Sequence, residues 1–123
     1  MRVIIILAVL EGAHIHHIDC DTAFLHADAE GNIYCYQPKG YVIAGLEHLV
    51  CKINKAIYGH RQSARRWYLK LRSVLIGMGF TQLFTDGCVY CKFIGAVRLT
   101  VAVFVDDLLA ICQDLLVLNQ FRE

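Results

Sequence analysis

The sequence lacks the features that mark several classes of protein. It contains a single proline, and no low-complexity block or proline-rich linker divides its 123 residues, so we expect one domain or a piece of one. Its longest apolar run, Val3 to Leu10, stops at Glu11, well short of the roughly 18 residues that a membrane span requires. No small-x-small cleavage site follows the run, which favours a short buried helix over a secretory signal. We therefore expect neither a membrane protein nor a secreted one.

An excess of charge of one sign is also missing. The formal net charge is +1, and the 19% of charged residues are spread along a chain that is 57% hydrophobic, as in a globular protein. The six cysteines have no compact spacing, so we interpret them as reduced thiols of an intracellular protein. A net charge this small neither indicates nor excludes a nucleic-acid partner, because the positions of the charges decide that question.

The positions of the basic residues are informative. Seven of the twelve lie between Lys52 and Arg72, with no acidic residue among them. Such a run can neutralise phosphates, or it can form the solvated face of a helix. For Lys70 and Arg72 the two interpretations are equally supported.

The apolar pattern predicts a mixture of helices and strands. From Ser63 to Phe80 the apolar positions recur at three- and four-residue steps, which is typical of an amphipathic helix, and Gly79 can end it. The polar segment Asp28–Asn32 predicts a turn. Runs of β-branched and aromatic residues predict strands at 15–20, 33–36, 49–53, 88–93, 97–105 and 108–112.

Two adjacent carboxylates interrupt the most apolar part of the chain. Asp106 and Asp107 separate the runs 97–105 and 108–112, so the runs predict a hairpin with this pair at its tip. Two negative charges against a dry sheet are costly unless they are solvated or paired, and Mg²⁺ is a hard cation that pairs with carboxylate oxygens. A plain hairpin turn is the alternative for the pair taken alone, although Asp-Gly is the commoner turn chemistry.

A third carboxylate, Asp19, ends the strand predicted at 15–20. A phosphoryl-transfer site uses two metal ions about 4 Å apart, and a carboxylate from a neighbouring strand would supply the second side of such a site. Strands that are distant in sequence often lie side by side in one sheet. Taken alone, however, an aspartate at a strand end is usually either solvated by water or a cap for that end.

Several segments resemble one family of polymerases. Residues 17–25, His-Ile-Asp-Cys-Asp-Thr-Ala-Phe-Leu, resemble motif A of copia-type LTR-retrotransposon reverse transcriptases, commonly MDVKTAFL. Residues 104–107, Phe-Val-Asp-Asp, resemble motif C, YVDD. Further blocks follow in the family's order at 33–41 (IYMEQPEGF in the family), 50–53 (VCKL), 56–68 (SLYGLKQAPRQWY) and 86–90 (DHCVY). Six ordered blocks over nearly the whole chain make this likeness specific.

The resemblance implies an α+β fold over residues 1–123: a partial polymerase palm whose antiparallel sheet carries helices on one face, with fingers and thumb largely missing. It implies RNA-directed DNA polymerase chemistry, with an RNA or DNA template-primer and deoxynucleoside triphosphates as partners. It also implies an intracellular, cytoplasmic setting in a virus-like particle. Because thumb, connection and RNase H parts are absent, we expect weak or no activity from this chain alone, and a decayed, non-catalytic remnant or interaction module is the alternative.

The resemblance also assigns metal ligands. It implies that Asp19 and Asp106 hold two Mg²⁺ ions, or Mn²⁺, with Asp107 beside them. Phe104 stands where the family has the tyrosine of motif C, and Asp21 where it commonly has lysine.

Nucleotide and nucleic-acid contacts follow from the same resemblance. The aromatic residue at Phe24 would pack under the sugar and screen out a 2′-hydroxyl, while Tyr58 and Gly59 would lie against the incoming nucleotide. Arg61 and Arg65 stand at basic positions of the family and would contact nucleic acid.

A small zinc or thiol site is the less favoured alternative. Its candidate ligands are three histidines and three cysteines: His14, His16, His17, Cys20, Cys88 and Cys91. Alternation along a strand would place His14 and His16 on one face and His17 on the other, which disfavours a three-histidine site.

Overall fold

The computed structural model describes residues 2–122 and shows an α+β chain with two antiparallel sheets over these residues. It divides into two compact units: Met1–Asp21 with Leu71–Glu123, here called the sheet unit, and Thr22–Lys70, here called the ribbon unit. The elements in chain order are α1 (Arg2–Leu10), β1 (His14–Asp19), a short 3₁₀ helix (Ala23–His26), β2 (Asp28–Tyr36), β3 (Val50–Lys55), α2 (Ser63–Gly77), β4 (Thr81–Gln82), β5 (Val89–Ile94), β6 (Val97–Phe104), β7 (Asp107–Cys112) and α3 (Leu115–Arg122).

The sheet unit is built on five antiparallel strands in the order β1-β7-β6-β5-β4. Its central strands are rich in β-branched and aliphatic residues, which pack well on a pleated surface. One face carries the buried side chains of Leu99, Val101 and Ala110. The end of α2 lies on this face, where Lys92 Nζ donates to the carbonyl oxygen of Met78 at 2.7 Å.

The second face of this sheet also carries a helix. A cavity of about 390 Å³ is lined by apolar side chains of α1 and by Val89, Cys91 and Ile111 of the sheet. The register of β5, β6 and β7 places these three residues on the face opposite Leu99 and Val101. The expectation that all helices pack on one face is therefore wrong for α1. Both faces of this sheet carry apolar side chains, and a helix packs on each.

The first helix, Arg2–Leu10, contains the apolar run Val3 to Leu10 but is less buried than predicted. Ala8 is its buried residue, whereas Leu10 is 77% exposed. A helix that is apolar on every side cannot turn a polar face to solvent, so packing on one side leaves apolar side chains exposed on the other. A two-oxygen contact from Arg98 Nη2 to the carboxylate of Glu11, at 2.7 and 2.9 Å, ties down the segment that follows the helix. No helix among residues 2–122 is long and apolar enough to cross a membrane.

The ribbon unit contains a two-stranded antiparallel sheet, β2 with β3. The turn predicted at Asp28–Asn32 is wrong, because these residues form the first half of β2, with a register shift between Asp28 and Ile33. The polar residues that indicated a turn instead form a bulge and an ion pair. Gly31 adopts a φ of +79° in the bulge, and Lys55 Nζ lies 2.6 Å from Asp28 Oδ1 across the strands.

The long amphipathic helix is confirmed, with an end earlier than Phe80. After Gly77 the chain makes a Schellman turn: Gly79 N–H donates to Ile76 O at 2.9 Å and Phe80 N–H to Leu75 O at 3.0 Å. Gly79 has a φ of +87°, the left-handed conformation that this motif requires. Gly79 thus ends the helix as expected, and Phe80 belongs to the cap.

Candidate active site

The hairpin predicted from the apolar runs is present, with its tip one residue earlier than expected. Phe104 pairs with Asp107, so the two loop residues are Val105 and Asp106, and Asp107 is the first residue of β7. Val105 has a φ of 58°, whereas Asp106 has no positive φ. A β-branched residue in this conformation is an outlier that costs on the order of 1–3 kcal/mol and persists only where its surroundings impose it.

Strand pairing brings the third carboxylate to this hairpin. Asp19 is the direct cross-strand partner of Asp107, so both side chains leave the sheet on the same face, with Cα atoms about 5 Å apart. The Cys20 N–H donates to the Asp106 carbonyl oxygen at 3.2 Å, which continues the contact one residue beyond the ladder. All three candidate carboxylates therefore lie at one end of the β1–β7 pair.

The pKa of the Cys20 thiol is affected by its burial and by the negative charges at this end of the strand pair. Burial raises the pKa of Cys20, and the negative charges of Asp19, Asp106 and Asp21 raise it further. Asp19 itself is exposed, and Asp106 is half-buried. The end of the strand pair is thus a concentrated, solvent-accessible negative site, a setting that favours a bound cation.

His17, a candidate zinc ligand in the sequence, contacts one of these carboxylates. His17 Nε2 lies 2.7 Å from Asp107 Oδ1, and both side chains are about half exposed. His17 is two residues before Asp19 and so lies on the same face, diagonal to Asp107 across the strands. The two-residue period of β1 was the signal for this contact, but it required the β1–β7 register to identify the partner.

The predicted zinc alternative does not assemble. Strand pairing places His14 and His16 opposite Cys112 and Ala110, on the face away from His17. Over residues 2–122, no group of three or more histidine, cysteine, aspartate or glutamate side chains is arranged to hold a metal ion. A cation at the carboxylates would need further oxygen ligands from water or from a substrate.

The ribbon unit brings two of its predicted nucleotide contacts together. The rings of Phe24 and Tyr58 have centroids 4.3 Å apart and planes tilted by 37°. Phe24 is 7% exposed, whereas Tyr58 is 60% exposed. Gly59, with a φ of +86°, follows in a turn closed by the His60 N–H on Ile57 O at 3.3 Å, so glycine supplies the positive φ of a type II turn.

The basic run of the ribbon unit divides into paired and unpaired residues. Arg66 is engaged with β2, where its Nε donates to the Asp28 carbonyl oxygen at 3.2 Å and its Nη1 lies 3.7 Å from Glu30. A hydrogen bond from Lys55 lowers the pKa of Asp28. Arg61 and Arg65 are exposed and make no hydrogen bond or ion pair with residues 2–122. The two predicted nucleic-acid contacts are thus available to an external anion.

A family comparison now identifies the class of protein. The model of the reverse transcriptase (RNA-dependent DNA polymerase) family matches residues 1–123. The chain belongs to that family, and the resemblance drawn from its six sequence blocks is confirmed.

Individual relatives place it among retrotransposon proteins of the copia type. The chain is 38% identical over 115 residues to the retrovirus-related Pol polyprotein from transposon TNT 1-94 of Nicotiana tabacum, a match covering 93% of this chain and 9% of the polyprotein. It is 32% identical over 119 residues to that of transposon RE2 of Arabidopsis thaliana, covering 97% and 8%. The transposon Ty1-DR5 Gag-Pol polyprotein of Saccharomyces cerevisiae is 28% identical over 110 residues, covering 89% and 6%. No solved structure matches. The chain spans less than a tenth of the length of these curated relatives.

Proposed function

We propose that residues 1–123 are a partial palm domain of an RNA-directed DNA polymerase, with fingers and thumb largely outside it, that extends a primer by two-metal nucleotidyl transfer. The observation that carries the proposal is the register of β1 and β7. It sets Asp19 directly opposite Asp107, beside a strained turn that holds Asp106. These residues occupy the aspartate positions of the two motifs that resemble the family's motifs A and C.

The donor chemistry of this strand end fits Mg²⁺ or Mn²⁺. Carboxylate oxygens are the hard ligands that these ions take, and Mg²⁺ is usually held by one or two carboxylates together with substrate phosphates. Asp19 and Asp106 would hold the ions, with Asp107 beside them, and nucleotide phosphates would complete the ligand set. When bound, the two ions would activate the attacking oxygen and stabilise the leaving one.

The residues around the carboxylates have positioning roles in this proposal. The His17 hydrogen bond occupies one oxygen of Asp107 and fixes the orientation of that carboxylate. Positioning and charge stabilisation are the main requirements of phosphoryl transfer, which needs no protein nucleophile. A short, fixed hairpin is suited to that requirement.

The ribbon unit would bind the reactants. Phe24 would pack under the sugar of the incoming deoxynucleoside triphosphate, and the exposed Tyr58 with Gly59 would lie against the nucleotide. Arg61 and Arg65 would neutralise phosphates of the RNA or DNA template-primer. A retrotransposon polyprotein of this kind would act inside cells, in cytoplasmic virus-like particles.

Primer extension tests the proposal. Purified chain is incubated with a primed RNA or DNA template, labelled deoxynucleotides and Mg²⁺ or Mn²⁺, and compared with an Asp106→Asn variant. Incorporation that the variant loses supports catalysis. Equal incorporation by both proteins, including none by either, contradicts catalysis by this chain and leaves the non-catalytic remnant.

A further inference from the structure

The ribbon unit holds two cysteines directly opposite each other. Cys35 of β2 and Cys51 of β3 are register partners in the antiparallel pair, and both are exposed free thiols. Directly opposed residues of antiparallel strands have Cα atoms about 4.5 or 5.5 Å apart, depending on the type of pair. Both values lie within the roughly 4.4–6.8 Å that a disulfide spans. Sixteen positions separate the two residues in sequence, so their spacing gave no sign of a pair.

Contacts on both sides of the pair fix this register. Toward the body of the ribbon, Ile33 lies opposite Ile53, and both side chains are half-buried on the face that carries the cysteines. Toward the connecting loop, the Gln37 side chain donates to Leu46 O at 2.6 Å and to Leu49 O at 3.1 Å. The same amide accepts the Ile43 N–H at 2.9 Å. The loop is thus tied to the end of β2, and the two thiols are held at neighbouring positions.

We propose that Cys35 and Cys51 form a redox-responsive dithiol that closes to a cross-strand disulfide by exchange with a small-molecule disulfide such as glutathione disulfide. The thiolate of one cysteine attacks a sulfur of glutathione disulfide, which releases one glutathione thiolate and leaves a mixed disulfide on the protein. The thiolate of the other cysteine then attacks the protein sulfur and displaces the second glutathione. The protein loses two protons and two electrons, and glutathione disulfide takes them up to become two glutathione molecules.

Exposure makes the dithiol accessible and the bond reversible. Both cysteines are exposed residues, and exposed disulfides are the readily reduced ones. The bond would link the two strands of a ribbon that has no third strand, an arrangement with little stability of its own. We therefore expect oxidation to slow the opening of β3.

Mass spectrometry of the native chain treated with glutathione disulfide tests the proposal. We expect the wild type to lose two hydrogens and to give a linked peptide containing Cys35 and Cys51. Cys35→Met and Cys51→Ser should each retain one glutathione on the remaining partner, because no second thiol can displace it. Cys88→Ser removes another exposed thiol and should behave as the wild type.

Two results would overturn the proposal. One is stable glutathione on both Cys35 and Cys51 of the wild type, and the other is a link from either residue to a different cysteine. Amide hydrogen exchange gives a second readout. The amides of β3 should exchange several-fold more slowly after oxidation of the wild type. In Cys35→Met, the same treatment should leave their exchange rates unchanged. Equal exchange in oxidised and reduced wild type contradicts the expected effect on the ribbon.

Discussion

Each unit places one strained residue beside its candidate functional groups, but the two settings differ. In the sheet unit, Val105 has a φ of 58° and precedes Asp106 in the turn of a five-stranded sheet. In the ribbon unit, Thr22 has a φ of 52° and precedes the 3₁₀ helix that carries Phe24. Val105 is an exposed residue in a turn, whereas Thr22 leads into the buried residues Ala23 and Phe24.

The difference separates two kinds of task. The sheet unit has a continuous core, with Val101 and Ala110 fully buried, and so can hold carboxylates in fixed positions against their mutual repulsion. The ribbon unit presents exposed groups, Tyr58, Arg61 and Arg65, from a two-stranded ribbon and the turn and helix that follow it. We infer that cation binding belongs to the first unit and contact with nucleotide and nucleic acid to the second.

The largest effect is expected from Asp19→Asn. Removal of one charged ligand from the proposed cation site should lower nucleotide incorporation at least about 100-fold, because even changes in residues that only support metal ligands cost 10–100-fold. Affinity for the template-primer should be unchanged, since we assign that binding to the ribbon unit. Single-nucleotide incorporation and filter binding measure the two properties.

Asp21→Asn is the matched control for that variant, because it removes the same charge two residues away. It should retain most incorporation. Equal reductions in Asp19→Asn and Asp21→Asn would show that only the overall charge matters and would remove the distinction between the two carboxylates.

A smaller effect is expected from His17→Leu. Without the hydrogen bond to Asp107, the affinity for Mn²⁺ should fall about 10-fold, the lower limit for a residue that supports a metal ligand. In an Asp107→Asn background the same change should have little effect, because the two residues act as a pair. Electron paramagnetic resonance of free Mn²⁺ measures the affinity, and His14→Leu on the other face of β1 is the control. An undiminished effect in the Asp107→Asn background would contradict the pairing.

The variants Val105→Gly and Thr22→Gly together compare the backbone strain of the two units. Glycine adopts positive φ readily, so the free energy of unfolding should rise by about 1 kcal/mol, the released strain less the added entropy of the unfolded chain. Thr22→Gly makes the corresponding change in the ribbon unit. Urea denaturation measures both, and a decrease in stability of Val105→Gly would mean that the side chain contributes more than its backbone strain costs.

Replacing Arg61 and Arg65 by glutamine should weaken nucleic-acid binding a few-fold and reduce its dependence on salt. The slope of log affinity against log salt should fall by about 1 for each phosphate that the protein no longer neutralises. Arg72→Gln, which removes a cation bonded to Gln82 in the sheet unit, should leave the slope unchanged. The same reduction in both proteins would contradict the assignment of nucleic-acid binding to the ribbon unit.

The smallest effect concerns the thiol of Cys20. Because burial and then Asp19, Asp106 and Asp21 raise its pKa above 9.0, folding favours the protonated thiol. Its contribution to stability is fully present below the thiol's unfolded pKa and is lost as the pH rises through the raised value. Iodoacetamide should therefore modify Cys20 slowly until strongly alkaline pH, and Asp21→Asn should move that onset slightly lower. An unchanged onset would exclude a charge effect from Asp21.

Local patterns predicted much of the fold. The helical period and Gly79 gave the long helix and its cap, and the apolar runs around Asp106 gave the β6–β7 hairpin. The turn predicted at Asp28–Asn32 is wrong because these residues begin a strand whose partner is the distant segment β3, with Asp28 opposite Lys55. Composition cannot reveal such a partner.

The candidate site was predictable as a set of residues but not as an arrangement. The sequence blocks selected Asp19, Asp106 and Asp107, whereas the direct pairing of Asp19 with Asp107 depends on the register of strands nearly ninety positions apart. The same register identifies His17 as a neighbour of Asp107. The Cys35–Cys51 pair likewise follows from strand register, which cysteine spacing does not encode.

Mn²⁺ binding in the presence of a deoxynucleoside triphosphate tests the central claim most directly. Titration of the wild type and of Asp106→Asn, followed by electron paramagnetic resonance, compares the sheet unit with and without one proposed ligand. We predict Mn²⁺ binding to the wild type beyond that of the nucleotide alone and its absence in Asp106→Asn. Identical binding curves for the two proteins would contradict a cation site at the end of the β1–β7 pair.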